Sequence, residues 1–71
     1  MRTYYTLCTL EDDGEFHQQW GDYDRKVVAD ELYDYSQGGA YSASQLKIVK
    51  SGDDQAAIDL AIAELNRRAK S

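Results

Sequence analysis

Cys8 and His17 are the single cysteine and the single histidine of the chain, and together they could form a thiol–imidazole dyad. Such a dyad needs the imidazole within hydrogen-bond reach of the sulfur, roughly 2.6–3.2 Å, and a third group that orients the base. A cysteine in the middle of an apolar strand is more often a small buried residue than a nucleophile. We therefore rank an enzyme that uses Cys8 and His17 last among the functional hypotheses, and expect a protein without catalytic residues.

Asp22 and Asp24, in the segment "GDYDRK", could act as metal ligands or as an acid–base pair. A calcium loop needs oxygen ligands at five or more spaced positions, which this segment lacks. Asp24 precedes a helical pattern, where a carboxylate can accept a backbone N–H, and Tyr23 and Val28 have the spacing of a hydrophobic staple. We interpret the segment as a strand-to-helix junction and keep Asp22 as a candidate for a partner contact.

The chain shows no motif for a cofactor or a metal ion. One cysteine and one histidine give no zinc-site spacing. The glycine pair Gly38-Gly39 lacks the lysine of a phosphate-binding loop, and it is typical of the end of a helix. The sequence thus predicts neither a cofactor nor a bound metal.

Hydrophobic periodicity and turn residues predict the elements that must position these side chains. Strands are expected over Thr3–Leu10, Phe16–Trp20 and Gln45–Lys50, and helices over Arg25–Gln37 and from an Asp53 cap to Ala69. We expect residues 1–71 to form a single α+β domain in the order β-β-α-β-α. It would contain a three-stranded antiparallel sheet with two helices packed on one face.

The Asp13-Gly14 dipeptide predicts a hairpin turn between the first two strands. A two-residue turn pairs Leu7 with Trp20, whereas a three-residue loop pairs Leu10 with Phe16. The two registers differ by one residue, which exchanges the faces of the first strand. Both faces of that strand carry apolar side chains, so both registers stay open. In either register, regular alternation places Phe16 and Trp20 on one face.

Composition limits the class of protein. The net charge is −5, and nine of the thirteen acids lie between Glu11 and Asp34, against Arg25 and Lys26. Nucleic-acid binding requires cations for the phosphates, so no direct nucleic-acid binding is expected. No apolar run approaches the roughly 20 residues of a membrane span, and the first residues lack the pattern of a signal peptide. With one thiol, these features predict a cytoplasmic protein that does not bind membranes.

Aromatic content points to an interaction surface. Six tyrosines and one tryptophan occur in 71 residues, and these side chains are enriched at protein interfaces. Together with the acids they predict an acidic, aromatic surface that binds a protein partner. The alternative is an ordinary solvated surface over an aromatic core. The candidate residues are Asp22, Asp30, Glu31, Tyr33, Asp34 and Tyr41.

Leu60 lies off the apolar stripe of the second helix, on the same side as Ala56 and Ala63. A single exposed leucine is ordinary in soluble proteins. A small domain without disulfides can also gain stability by forming a homodimer. This side of the helix is therefore a candidate dimer contact.

The order of these motifs resembles that of small proteins encoded by bacteriophages and prophages. The resemblance covers most of the chain and rests on the "GDYDR" junction and on the "LKIV…DDQ" strand-to-helix junction. Those proteins have no assigned activity, so the resemblance implies a bacterial cytoplasmic setting and an accessory role, with no site residues to carry over.

Two non-catalytic hypotheses precede the enzyme. The first is a phage or prophage interaction module that binds a host or phage protein through the acidic surface. The second is an acidic inhibitor that imitates nucleic acid and occupies a host DNA-binding or defence protein. Binding of the second kind should weaken steeply with ionic strength, because its contacts are mostly exposed charges.

Overall fold

The computed structural model describes residues 2–70 and confirms the predicted α+β fold and its order, β-β-α-β-α. The elements are β1 (Thr3–Leu10), β2 (Phe16–Asp22), α1 (Arg25–Gln37), β3 (Leu46–Gly52) and α2 (Gln55–Ala69), with a short 3-10 turn at Ala43–Gln45 before β3. The strands form one antiparallel sheet in the order β2-β1-β3.

β1 is the central strand, and its middle residues Thr6–Thr9 are each completely buried. A strand covered on both faces carries apolar side chains on both faces instead of alternating with polar ones. This explains why "TYYTLCTL" contains apolar groups at odd and even positions alike. It also requires that both faces of the sheet be covered.

The two helices pack on opposite faces of the sheet, which corrects the expectation that both share one face. Leu7 packs with Val28 of α1, whereas its neighbour Cys8 packs with Ala61 and Leu65 of α2. Successive side chains of a strand point to opposite faces, so an α1 face and an α2 face are distinct. The physical reason is the burial of β1: a single helical layer would leave half of its apolar side chains in water.

The hairpin contains both predicted registers, one on each side of a β-bulge. Leu10 pairs with Phe16 near the turn, and Leu7 pairs with Trp20 beyond the bulge, where Gln19 has no partner. The extra residue shifts the alternation of β2, so that side chains beyond the bulge point to the opposite face of the sheet from the one that regular alternation would give. Phe16 therefore packs on the α2 face and Trp20 on the α1 face, so the expectation that they share a face is wrong.

The hairpin loop has three residues, Asp12, Asp13 and Gly14. The Glu11 N–H donates to the Glu15 carbonyl at 3.0 Å and closes the loop. Gly14 has φ 79°, the left-handed conformation that a three-residue hairpin loop needs at this position.

The N-terminal caps of both helices lie at or next to the residues that the sequence predicts. The Asp24 side chain accepts from Lys26 N at 2.9 Å and caps α1 as predicted. The cap of α2 is Asp54, one residue after the predicted Asp53, and accepts from Ala57 N at 2.7 Å. Asp53 instead accepts a hydrogen bond from Tyr23.

Asn66 fixes α2 to the outer edge of β2. The Phe16 N–H donates to Asn66 Oδ1 at 2.6 Å, and Asn66 Nδ2 donates to the Phe16 carbonyl at 3.2 Å. The side-chain amide thus takes the place of a neighbouring strand at this residue, and the backbone groups of Phe16 must point away from β1.

Candidate functional site

The junction before α1 sets the direction of that helix and uses both aspartates of "GDYDRK". The Asp24 N–H donates to Asp22 Oδ1 at 2.9 Å, and the Lys26 N–H donates to Asp24 Oδ1 at the same distance. Both carboxylates therefore satisfy backbone donors at the start of a helix, where negative charge is also favoured. Asp22 has a structural role that the sequence analysis did not assign to it.

The α1 outer face consists of Lys26, Val27, Asp30, Tyr33 and Asp34. Val28 points to the sheet and is completely buried, and at 100° per residue these five residues fall within about 120° of arc on the opposite side. The Tyr33 side chain is 62% exposed and Val27 is 38% exposed. The face thus combines two apolar bodies with two carboxylates and the ammonium of Lys26.

The carboxylates of this face form no ion pair among residues 2–70, although Lys26 lies one turn before Asp30. Among residues 2–70, no ion pair or side-chain hydrogen bond involves Asp30, Glu31 or Asp34. The ion pairs that the structure records lie in the hairpin and at the end of α2. Unpaired surface carboxylates on a rigid helix create a negative potential that attracts a basic partner.

The structure brings three of the six candidate residues together and places the others elsewhere. Asp30, Tyr33 and Asp34 share the α1 outer face, and Glu31 is half-buried beside it. Asp22 lies before the first turn of α1, so it is separated from Asp34 by most of the length of the helix.

Tyr41 belongs to the core beneath α1. It is half-buried, its ring stacks on Tyr35 with centroids 6.2 Å apart, and its hydroxyl donates to Glu11 Oε2 at 3.0 Å. That hydrogen bond raises the pKa of the Tyr41 phenol. The pKa of Glu11 is lowered, first by the hydrogen bond from Thr9 and then by the one from Tyr41.

A second aromatic group, which the sequence analysis missed, surrounds Tyr23. Its ring meets Tyr4 edge-on at 5.0 Å, the Arg2 guanidinium lies 4.0 Å from the ring centroid, and its hydroxyl donates to Asp53 at 3.2 Å. That last hydrogen bond raises the pKa of the phenol. Gly21 makes room for this packing, since a Cβ there would lie 2.5 Å from the Tyr4 hydroxyl. Residues this far apart in sequence give no spacing signal.

Cys8 and His17 lie on opposite faces of the sheet. Cys8 pairs with Gln18, whereas His17 pairs with Thr9, so the two side chains alternate to different sides. Burial raises the pKa of the Cys8 thiol to about 11, which keeps it protonated at neutral pH. His17 is exposed, with Nε2 2.8 Å from Asp13 Oδ2. The geometry does not assemble the hypothesised dyad.

Val27 is the apolar residue of the α1 outer face that the sequence analysis overlooked. Helical spacing alone could have found it, because it lies about 100° from Val28 and hence outside the apolar stripe of α1. Its exposure makes it the apolar neighbour of Asp30 and Asp34 on the next turn.

Two further kinds of site are absent from residues 2–70. Within residues 2–70, no three side chains of His, Cys, Asp or Glu come together in a way that could hold a metal ion. No helix in that part of the chain is long and apolar enough to cross a membrane. Comparison with protein-family models, with curated proteins and with solved structures finds no match to this chain.

Proposed function

We propose that this protein is a small, non-catalytic interaction module whose α1 outer face binds a basic surface of a protein partner. The observation that supports it is the exposed Tyr33 beside carboxylates that form no ion pair among the described residues. We further propose an accessory role in a phage or prophage, in a bacterial cytoplasm. This setting is supported by the resemblance of the two strand-to-helix junctions of the chain to those of small bacteriophage and prophage proteins.

The two kinds of side chain on this face would contribute differently to binding. The Tyr33 ring supplies contact area at low conformational cost, since it has few rotatable bonds and sits on a helix. Asp30 and Asp34 would raise the association rate and select a partner of opposite charge. The same charge disfavours contact between two copies through this face, because like charges would meet.

The first test is capture of partners from bacterial lysate with the tagged protein and with Asp30→Lys/Asp34→Lys. The matched control is Asp12→Lys/Asp59→Lys, in which two exposed acids away from α1 are reversed. Each double variant changes the net charge from −5 by four, to −1. We expect the α1 variant to lose a partner that the control retains. A partner that both variants retain equally would contradict binding through this face.

Ionic strength separates the interaction module from the inhibitor that imitates nucleic acid. The unpaired carboxylates of α1 support the inhibitor as a second candidate, and its contacts would be almost purely electrostatic. A DNA-handling partner held at low salt, released at high salt and insensitive to Tyr33→Ser would favour the inhibitor. A partner retained at high salt and lost with Tyr33→Ser would favour an interface centred on the ring.

A further inference from the structure

A groove lies on the α2 face between the second half of α2 and β3. Its volume is about 960 Å³, and Leu10, Val49 and Leu65 contribute apolar side chains to it. Ile48 and Lys50 also line it, although their side chains alternate to the α1 face. The groove therefore reaches the outer edge of β3.

The groove is basic in a chain that is otherwise acidic. Four cations line it, Lys47, Lys50, Arg68 and Lys70, against one acid, Glu64. These five residues and Glu15, which pairs with Lys70 at 2.9 Å, sum to +2, so the remainder of the chain, with a total of −5, sums to −7. Lys47 and Lys50 form no ion pair within residues 2–70, and both are exposed.

The outer edge of β3 has free backbone groups. In residues 2–70 the only neighbour of β3 in the sheet is β1. The bonds from Asn66 show that Phe16 points its N–H and C=O away from β1, so its partner Leu10 points its own groups toward β3. Alternation along β1 then makes Lys47 and Val49 bond to β1. Ile48 and Lys50 consequently point their N–H and C=O groups outward.

A second copy of this chain fits the edge poorly. β3 contains two lysines and no acid, so two copies paired edge to edge would place four cations on adjacent strands without a counter-charge. Like charges on neighbouring strands are destabilising. A strand whose carboxylates lie on the α1 face would instead pair with Lys50, and its apolar side chains on the α2 face would lie against Leu10, Val49 and Leu65, beside Lys47.

We propose that the edge of β3 and the adjoining groove bind an extended acidic segment of another protein, which joins the sheet as a fourth strand. Main-chain hydrogen bonds to Ile48 and Lys50 hold the segment, and the lysines and the apolar groove select its side chains. This site is separate from the α1 outer face, and the proposal does not depend on what that face binds.

The probe is a fluorescently labelled Glu–Val repeat peptide of the length of β3, titrated with the full-length protein at low salt. A Lys–Val repeat tests the charge requirement. A Glu–Val repeat that is N-methylated at every residue keeps the side chains but has no backbone N–H donor, so it cannot pair as a regular strand. We expect the Glu–Val repeat to bind and to protect the Ile48 and Lys50 amides from hydrogen exchange, and the other two peptides to do neither.

The charge-reversal variant for this site is Lys47→Glu/Lys50→Glu, with Arg25→Glu/Lys26→Glu on α1 as the matched control. Both variants change the net charge from −5 by four, to −9. We expect about tenfold weaker binding of the Glu–Val repeat by the β3 variant than by the control, since the attractive pair with Lys50 becomes repulsive and a carboxylate replaces Lys47 beside the bound strand. Asp30→Lys/Asp34→Lys should bind the peptide at least as well as the natural chain, so failure at one face is distinguishable from failure at the other.

Three results would overturn the proposal. Equal binding of the Glu–Val and Lys–Val repeats would mean that the lysines only keep other strands from the edge, a common role of lysine there. Unchanged exchange of the Ile48 and Lys50 amides in the presence of bound peptide would place the peptide elsewhere. Tighter binding of a single-stranded oligonucleotide than of the Glu–Val repeat would assign the basic groove to nucleic acid.

Discussion

Two residues of the same type, Thr6 and Thr9, occupy the same buried strand and differ in how their hydroxyls are satisfied. Both are completely buried in β1. Thr9 Oγ1 donates to Glu11 Oε2 at 2.5 Å, whereas Thr6 Oγ1 has no hydrogen-bond partner among residues 2–70. A buried hydroxyl without a partner costs free energy that an apolar group of the same shape does not.

Replacing each threonine with valine, which has nearly the same shape, should change the free energy of unfolding in opposite directions. Thr6→Val removes an unsatisfied hydroxyl and should stabilise the protein by about 1 kcal/mol. Thr9→Val removes one of the two hydroxyls that donate to Glu11 Oε2 and leaves only that of Tyr41, so it should destabilise the protein. Urea unfolding of both variants provides the measurement, and each variant serves as the control for the other. Equal shifts of the same sign would show that hydroxyl satisfaction does not decide stability here.

The effect of Thr9→Val should also depend on pH. The pKa of Glu11 is lowered from its ordinary value of 4.5 in the folded protein, chiefly by the hydrogen bond from Thr9. A lowered folded-state pKa stabilises the protein above the unfolded pKa, and this contribution is lost as pH falls through the folded pKa. The difference between the natural chain and Thr9→Val should therefore be largest above pH 4.5 and shrink in acid.

At the scale of elements, local patterns in the sequence are sufficient to predict where strands and helices lie but not how the hairpin is aligned. Asp24 as a cap and Gly38-Gly39 as a stop correctly bound α1. The hairpin register stayed open because each register buries a different apolar set of β1, and the protein buries both. A bulge lets one strand use two registers, and Gln19 has no feature that marks it as the extra residue.

Deleting Gln19 tests whether the bulge is required. Without the extra residue, a regular β2 would turn either Phe16 or Trp20 away from its own hydrophobic cluster. We expect a loss of at least about 3 kcal/mol, the scale of removing one large aromatic side chain from a core. Gln19→Ala keeps the bulge and exchanges only an exposed side chain, so it should remain within about 0.5 kcal/mol of the natural chain. A deletion as stable as Gln19→Ala would show that β2 can realign freely.

The α1 outer face and the groove beside β3 differ in how far the sequence predicts them. Asp30, Tyr33 and Asp34 are brought together by helical spacing, which the sequence contains. Tyr41 was expected on the same surface, yet its contacts with Tyr35 and Glu11 depend on how a loop folds back under α1. The groove combines β1, β3 and α2, and its charge appears only when segments distant in sequence meet.

At the scale of the whole molecule, β1 contributes side chains to two hydrophobic clusters that lie on opposite faces of the sheet. Leu7 belongs to the cluster on the α1 face and Cys8 to the cluster on the α2 face. A chain of 71 residues buries a modest share of its surface, so neither cluster is large enough to be stable alone. The sheet should therefore lose both helices in a single transition.

Two natural probes, one on each face, can test this cooperativity. Trp20 is the single tryptophan and packs on the α1 face, while Cys8 is the single thiol and lies buried on the α2 face. In urea, the loss of Trp20 fluorescence and the gain of Cys8 labelling in short pulses of a thiol reagent should have the same midpoint. Ile58→Val in α2 and Val28→Ala in α1 should each lower both midpoints together, Ile58→Val by roughly 0.5–1.5 kcal/mol of stability. If Ile58→Val exposed Cys8 at lower urea without moving the Trp20 midpoint, α2 would unfold on its own. The groove beside β3 would then open and close independently of the α1 outer face.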